Sequence, residues 1–143
     1  MSNTKVSCEA YIVRDGKLLL GKRGKKAKGP WHGTWALPGG HLEFLERADD
    51  CIVREVAEEL DIHVTTDDIE LVAVTDGLTP ERNKHYIHLT YRVEIGMQEP
   101  KRNEPDMCEG WQWFPVDNLP ENISSPHAQI FDTIHSGRVY KPA

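Results

Sequence analysis

The chain reads as a mixed α/β layered fold, and three observations predict it. Two stretches, Arg47–Leu60 and Pro126–His135, carry apolar residues at helical spacing. Several short apolar runs of strand type lie before, between and around them. No regular strand–helix–strand repeat links them, which separates this pattern from a doubly wound parallel sheet. At 143 residues the chain is expected to form one domain, 1–143, long enough for a sizeable core.

The elements follow in order. Val6–Val13 and Lys17–Gly21 are apolar runs on either side of Asp15-Gly16, the signal of a hairpin. A basic loop, GKRGKKAKGPWHG, comes next, and then TWALPGGHLEF, an extended piece broken by Pro38-Gly39-Gly40. Arg47–Leu60 contains no Gly or Pro, and Ala48, Ile52, Val53, Val56, Ala57 and Leu60 recur at helical spacing. Ile69–Thr75 and His85–Ile95 read as strands, and a polar loop (GMQEPKRNEPDMCEG) leads to a further strand at Trp111–Val116. Asn118-Leu119-Pro120 turns the chain into the last helix.

Composition narrows the class. Hydrophobic residues make up 38% and charged residues 28%, as in a soluble globular protein. No apolar run is long enough to span a membrane, and the first residues lack the apolar core of a signal peptide. Cys8, Cys51 and Cys108 are odd in number and widely spaced, which fits a reducing cytoplasm better than a disulfide frame or a zinc site. A net charge of −6 disfavours stable nucleic-acid binding. An acidic protein with an anionic substrate needs local positive charge, from a few arginines or from metal ions.

The densest signal runs from Gly40 to Ile62, GHLEFLERADDCIVREVAEELDI. Gly40, Glu46, Arg54, Glu55, Glu58 and Glu59 sit at the spacing G-x5-E-x7-R-E-U-x-E-E, where U is aliphatic. At 100° per residue, Glu59 lies about 40° to one side of Glu55 and Glu58 about 60° to the other. Val53, Val56, Ala57 and Leu60 fall on the far side, ready to face a sheet. Three carboxylates on one stripe repel by roughly a few tenths of a kcal/mol per i,i+4 pair, a cost that a cation relieves. An acidic stripe alone is usually a solvated face. The complete spacing would arise by chance in such a chain with a probability on the order of 10⁻⁶.

The segment resembles the Nudix box, G-x5-E-x7-R-E-U-x-E-E-x-G-U, and the order of elements around it is similar to that family's α/β/α sandwich, with a mixed β-sheet and the box helix packed on it. The resemblance implies hydrolysis of a nucleoside diphosphate linked to another group. It implies Mg²⁺ as cofactor, with Mn²⁺ as the alternative ion. Glu55 and Glu59 take the positions of the usual metal ligands, Glu58 that of a further ligand or the base that activates water, and the Gly39 carbonyl completes the coordination. Arg54 takes the position that orients a box glutamate, and Glu46 supports the site or binds a second ion. Hard cations take such oxygen ligands and lower the proton affinity of bound water. Two positions depart from the pattern. Asp61 stands where the box ends in Gly, at a helix end that favours a left-handed residue, and Asp tolerates that conformation at a small cost. Leu45 stands where relatives often have Gly. A catalytically silent member would lack a box glutamate, and none is missing here.

The flanking stretches LLLGKR, TWALPGGHLEF, HYIHLTYRVE and EGWQWFPVDNLP resemble the MutT-type branch, whose members include nucleoside triphosphate pyrophosphatases. By position, Arg23 corresponds to an arginine near the phosphates or base, and Leu37 and His88 to residues that line the nucleobase pocket. Gln129 and Phe131 on the last helix fall where relatives make further base contacts. Trp111 and Trp113 share a strand face and are expected in the core. Glu104 or Glu109 falls in the late acidic loop, where some relatives place an assisting glutamate. The implied reaction converts a nucleoside triphosphate to the monophosphate and pyrophosphate, with a nucleoside diphosphate conjugate as the alternative substrate. Relatives are often dimers, so a homodimer is an expectation without a defined interface.

Overall fold

The computed structural model describes residues 3–26 and 31–142. Part of the basic loop, including Lys28, lies outside the described residues. Eight strands and two helices follow in order: β1 Thr4–Tyr11, β2 Val13–Arg14, β3 Lys17–Arg23, β4 Trp35–Ala36, β5 Gly39–His41, α1 Ala48–Leu60, β6 Ile69–Thr79, β7 Lys84–Val93, β8 Cys108–Pro115 and α2 Ser125–His135. One mixed sheet has the order β5-β1-β7-β6, with β1 parallel to β7 and the other pairs antiparallel. In the second sheet β3 is central, bonded to β2, β4 and β8.

The Asp15-Gly16 turn is present but joins less than expected. Val13 pairs with Leu18 and Arg14 with Lys17, leaving a two-residue turn with φ of 53° and 74°. The apolar run before it does not form one long arm of that hairpin. It is shared between sheets: β1 pairs with β5 and β7, and only β2 pairs with β3. Cys8 to Ile12 are all buried, so no polar alternation marks where the chain passes from one sheet to the other.

The two helices cover different cores. Cys51, Ile52, Val56 and Leu60 of α1 pack with Cys8, Ala10 and Ile12 and with Tyr91 and Val93 of β7. Ile130 and Phe131 of α2 pack with Tyr11, Leu18, Leu20 and Leu37. Leu19 belongs to the first core and its neighbours Leu18 and Leu20 to the second, so β3 feeds both layers by simple alternation. Trp111 and Trp113 pack against the first core, as expected. Burying one such aliphatic side chain is worth about 1.5–3 kcal/mol. That exceeds the like-charge repulsion along α1, so the acidic stripe does not prevent the helix from docking.

The buried arc of α1 differs from the expected one. Glu55 lies within it, while Val53 and Ala57 are only half-buried. The reason is local: β5 runs beside α1 as Gly39-Gly40, and a Cβ at Gly40 would collide with the Glu55 carboxylate. The glycine leaves that carboxylate its space. A Cβ at Gly39 would strike the Cys8 carbonyl of β1. Asp61 caps α1 in the left-handed region, φ 55°, its N–H donating to the Ala57 carbonyl at 3.1 Å. Leu45, just before the helix, is also left-handed, φ 64°. No helix among the described residues is long and apolar enough to cross a membrane.

Candidate active site

Two adjoining cavities form one cleft. The first, about 190 Å³, is lined by Glu55 and Glu59 of α1, Gly39 and Gly40 of β5, and Glu104 from the late loop. The second, about 390 Å³, is lined by Tyr86 and His88 of β7, Gly77 of β6, Trp31, and the basic side chains Lys5, Arg82 and Lys84. Arg23, Ser7, Glu9 and His127 line both. The floor follows from register. Ser7 pairs with His88 across β1 and β7, and His88 with Thr75 across β7 and β6, so alternate residues of three strands share the face under the cleft.

At the acidic end Arg54 organises the carboxylates. Its Nε and Nη2 donate to Glu46 at 2.7 and 2.9 Å, and its Nη1 to Glu55 at 2.8 Å and Glu58 at 3.3 Å. Nη2 also donates to the His41 carbonyl at 3.1 Å. The Arg54 bonds hold the Glu46 carboxyl down at about 2. Burial raises the Glu55 carboxyl, against the pull of Arg54. Burial and the neighbouring Glu55 charge raise Glu59 well above the usual range, although the Gly39 N–H donates to its Oε1 at 3.0 Å. Glu58 is exposed and turned to Arg54 at the rim.

These residues fit a divalent cation by chemistry. The donors facing the cavity are carboxylate oxygens, the kind that Mg²⁺ or Mn²⁺ takes. Burial raises the proton affinity of both facing carboxyls, and at Glu59 the Glu55 charge adds to it, so a bound cation would favour their charged forms. Among the described residues no three His, Cys, Asp or Glu side chains are already gathered to enclose an ion. Glu104 lines the same cavity, whereas Glu58 would have to turn from Arg54 to reach it.

The other expected site residues divide clearly. Arg23 lines both cavities, and its Nε is buried without a hydrogen-bond partner. Leu37 lines the first cavity and donates its N–H to His127 Nδ1 at 2.9 Å. His88 lines the second, stacked on Tyr86 with ring centroids 5.7 Å apart. Gln129 and Phe131 line neither cavity. Phe131 is in the second core, 6.4 Å from the Tyr11 ring, and Gln129 donates to the Lys141 carbonyl. The first turn of α2 faces the cleft instead, through Pro126 and His127. Glu104 lines the acidic cavity, whereas Glu109 pairs with Lys22 and His32 at the surface. Trp111 lines the first cavity as well as touching the core, its ring lying where a Cβ at Gly21 would be.

Sequence reasoning missed Glu9, His127 and Tyr86. Glu9 had a signal: it is the single charge inside the apolar run Val6–Val13. His127 had none, because only the fold brings α2 to the cleft.

The fold and the box spacing together define a hydrolase of the Nudix type, and the comparisons agree. The NUDIX domain model matches residues 5–134. A MutT-like protein of Streptomyces ambofaciens is 42% identical over 127 residues, covering 88% of this chain and 71% of that protein. Nucleoside triphosphatase NudI of Escherichia coli is 32% identical over 109 residues, covering 70% and 75%. The ADP-ribose pyrophosphatase of Methanocaldococcus jannaschii is 28% identical over 125 residues, covering 87% and 69%. The crystal structure of a MutT NUDIX hydrolase from Burkholderia pseudomallei superposes with a TM-score of 0.82 at 34% identity, covering 92% of this chain and 98% of that one. The chain belongs to the Nudix family and is a Nudix hydrolase of MutT type.

Proposed function

We propose that this enzyme hydrolyses nucleoside triphosphates to the nucleoside monophosphate and pyrophosphate. One observation carries the reading: a single cleft joins the carboxylates of α1 to an aromatic wall formed by Tyr86 and His88, with Arg23 between them. Such a cleft suits a ligand with a polyphosphate at one end and a base at the other. The similarity to NudI, a nucleoside triphosphatase by name, supports the same class.

Mg²⁺, or Mn²⁺ in its place, held by Glu55, Glu59, the Gly39 carbonyl and Glu58, would polarise the phosphoryl oxygens and lower the proton affinity of a bound water. Arg54 fixes the Glu55 carboxylate and ties Glu46 into the same network. Glu58 is exposed, with one long bond to Arg54, so where it does not hold the ion it is free to accept the proton of the attacking water. Arg23 forms no ion pair among the described residues, and its planar fork matches phosphate oxygens. His88 borders the space for the base, and Leu37 borders the adjoining acidic cavity. Of Glu104 and Glu109, Glu104 lines the acidic cavity, which supports it as the assisting residue.

A second reading, cleavage of a nucleoside diphosphate conjugate, is favoured by the larger cavity, whose 390 Å³ and basic rim could take a further polar group. The similarity to an ADP-ribose pyrophosphatase points the same way. A panel of nucleoside triphosphates, modified triphosphates and diphosphate sugars, supplied with Mg²⁺ and separated by product charge, decides between them. Pyrophosphate released from triphosphates is expected. Cleavage of diphosphate conjugates alone would reverse the assignment.

A further inference from the structure

We propose that Glu9, held by Ser7 and His88 where the two cavities meet, is the specificity-determining residue of the cleft and selects nucleobases that carry an exocyclic amino group. The inference rests on the cleft binding a nucleotide, and it names the class of base.

Glu9 is 3% exposed, on the central strand of the mixed sheet. Its Oε1 is fully engaged: the Ser7 hydroxyl donates to it, and His88 Nδ1 lies 3.0 Å away. Its Oε2 is buried and has no hydrogen-bond partner. The carboxylate cannot turn to share its bonds without breaking two of them. A buried carboxylate with one oxygen unfilled is costly, and a ligand that brings an N–H donor removes that cost. The position matters because Glu9 lines both cavities. His88 Nε2 is likewise buried and unpartnered, so the aromatic wall adds a second unfilled polar atom.

The opposite wall offers the complementary group. Because the Leu37 N–H donates to His127 Nδ1, a neutral His127 carries its proton on Nε2 and can donate from there. Burial and the Arg23 charge keep His127 neutral. Cytosine, adenine and guanine each present an amino group next to a ring-nitrogen acceptor, which answers a carboxylate and an N–H donor. Uracil and hypoxanthine put a carbonyl or a C–H where the amino group would be. A carbonyl there faces the carboxylate with like polarity, and a C–H leaves it unpaired.

Glu9→Gln gives a sharp test, because it replaces the acceptor facing the ligand by a donor and leaves the rest of the cleft in place. The glutamine oxygen would keep the Ser7 and His88 bonds, which turns the amide N–H₂ toward the ligand. Binding of cytidine against uridine monophosphate, and of guanosine against inosine monophosphate, is measured by calorimetry on wild type and variant. Turnover of the matching triphosphates is measured beside it. The wild type is expected to favour the amino member by about tenfold or more. Glu9→Gln is expected to lose that preference, because uracil then gains a partner for its carbonyl but still sets its ring N–H against the His127 N–H, so neither pyrimidine is favoured. Should Glu9→Gln fail to fold, Glu9→Asp keeps the charge but withdraws it by one methylene, and must reduce the preference. Equal affinities in the wild type, absence of monophosphate binding, or a preference unchanged by these substitutions overturns the proposal. Discrimination through Glu9 without triphosphate cleavage would sink the hydrolytic reading alone, whereas cleavage without amino preference would sink this one alone.

Discussion

Arg54 donates to three carboxylates, and two of these, Glu46 and Glu55, have side chains only 14% and 11% exposed. Replacing Arg54 by alanine would strand both without a cation, at a cost of about 3 kcal/mol or more. Arg54→Lys keeps the charge but loses the planar fork, so it should fall between the two in denaturant titration. The same network sets a pH signature. The Glu46 carboxyl sits at about 2 in the folded chain, against an ordinary value of 4.5. A depressed carboxyl stabilises the fold above its unfolded value and loses that contribution as pH falls from 4.5 through about 2. Stability measured across that window should fall less steeply in Glu46→Gln than in the wild type. Glu55 and Glu59 act with the opposite sign, since both are raised. Their contribution is present below the unfolded value and lost as pH rises, so the protein without metal bears the cost of burying both charges at neutral pH.

The ends of α1 show what one helix gives up to present its acidic residues. Leu45 is 89% exposed and left-handed, where a Cβ is unfavourable by about 1 kcal/mol or more. Leu45→Gly should therefore stabilise by about 0.5–1 kcal/mol, after allowing for the looser unfolded chain, and thermal melting checks the sign. Asp61 is left-handed too, but its carboxylate pairs with Lys101 at 3.0 Å and His63 at 2.9 Å. These exposed contacts offset part of the backbone strain, so Asp61→Gly should change little. Helix α1 was legible from the sequence because thirteen residues without Gly or Pro repeat at one period. The partition of Val6–Val13 between sheets was not, because a run buried on both faces carries no alternation. The Gly39-Gly40 pair, expected to break an extended piece, is instead part of strand β5, and its effect, clearing space for Glu55, needed the packing of β5 on α1.

At the scale of the molecule the cleft exists because the mixed sheet, the β3 sheet and the first turn of α2 converge on one place. The acidic half was readable in advance, since Glu55 and Glu59 come from one contiguous helix. The other half draws on β1, β6, β7 and α2, and its residues are far apart in the chain. Spacing cannot signal such a set, which is why Glu9 and His127 were overlooked and why Gln129 and Phe131, two and four residues beyond His127 on the same helix, were placed at the substrate. The central claim is that the α1 carboxylates carry the hydrolysis, and substituting Glu59 by Gln tests it most directly. Turnover of triphosphates in Mg²⁺ should be abolished, while the metal-free protein melts at neutral pH no lower than the wild type, because a repelled buried charge has been removed. Activity unchanged in a folded Glu59→Gln protein would contradict the account.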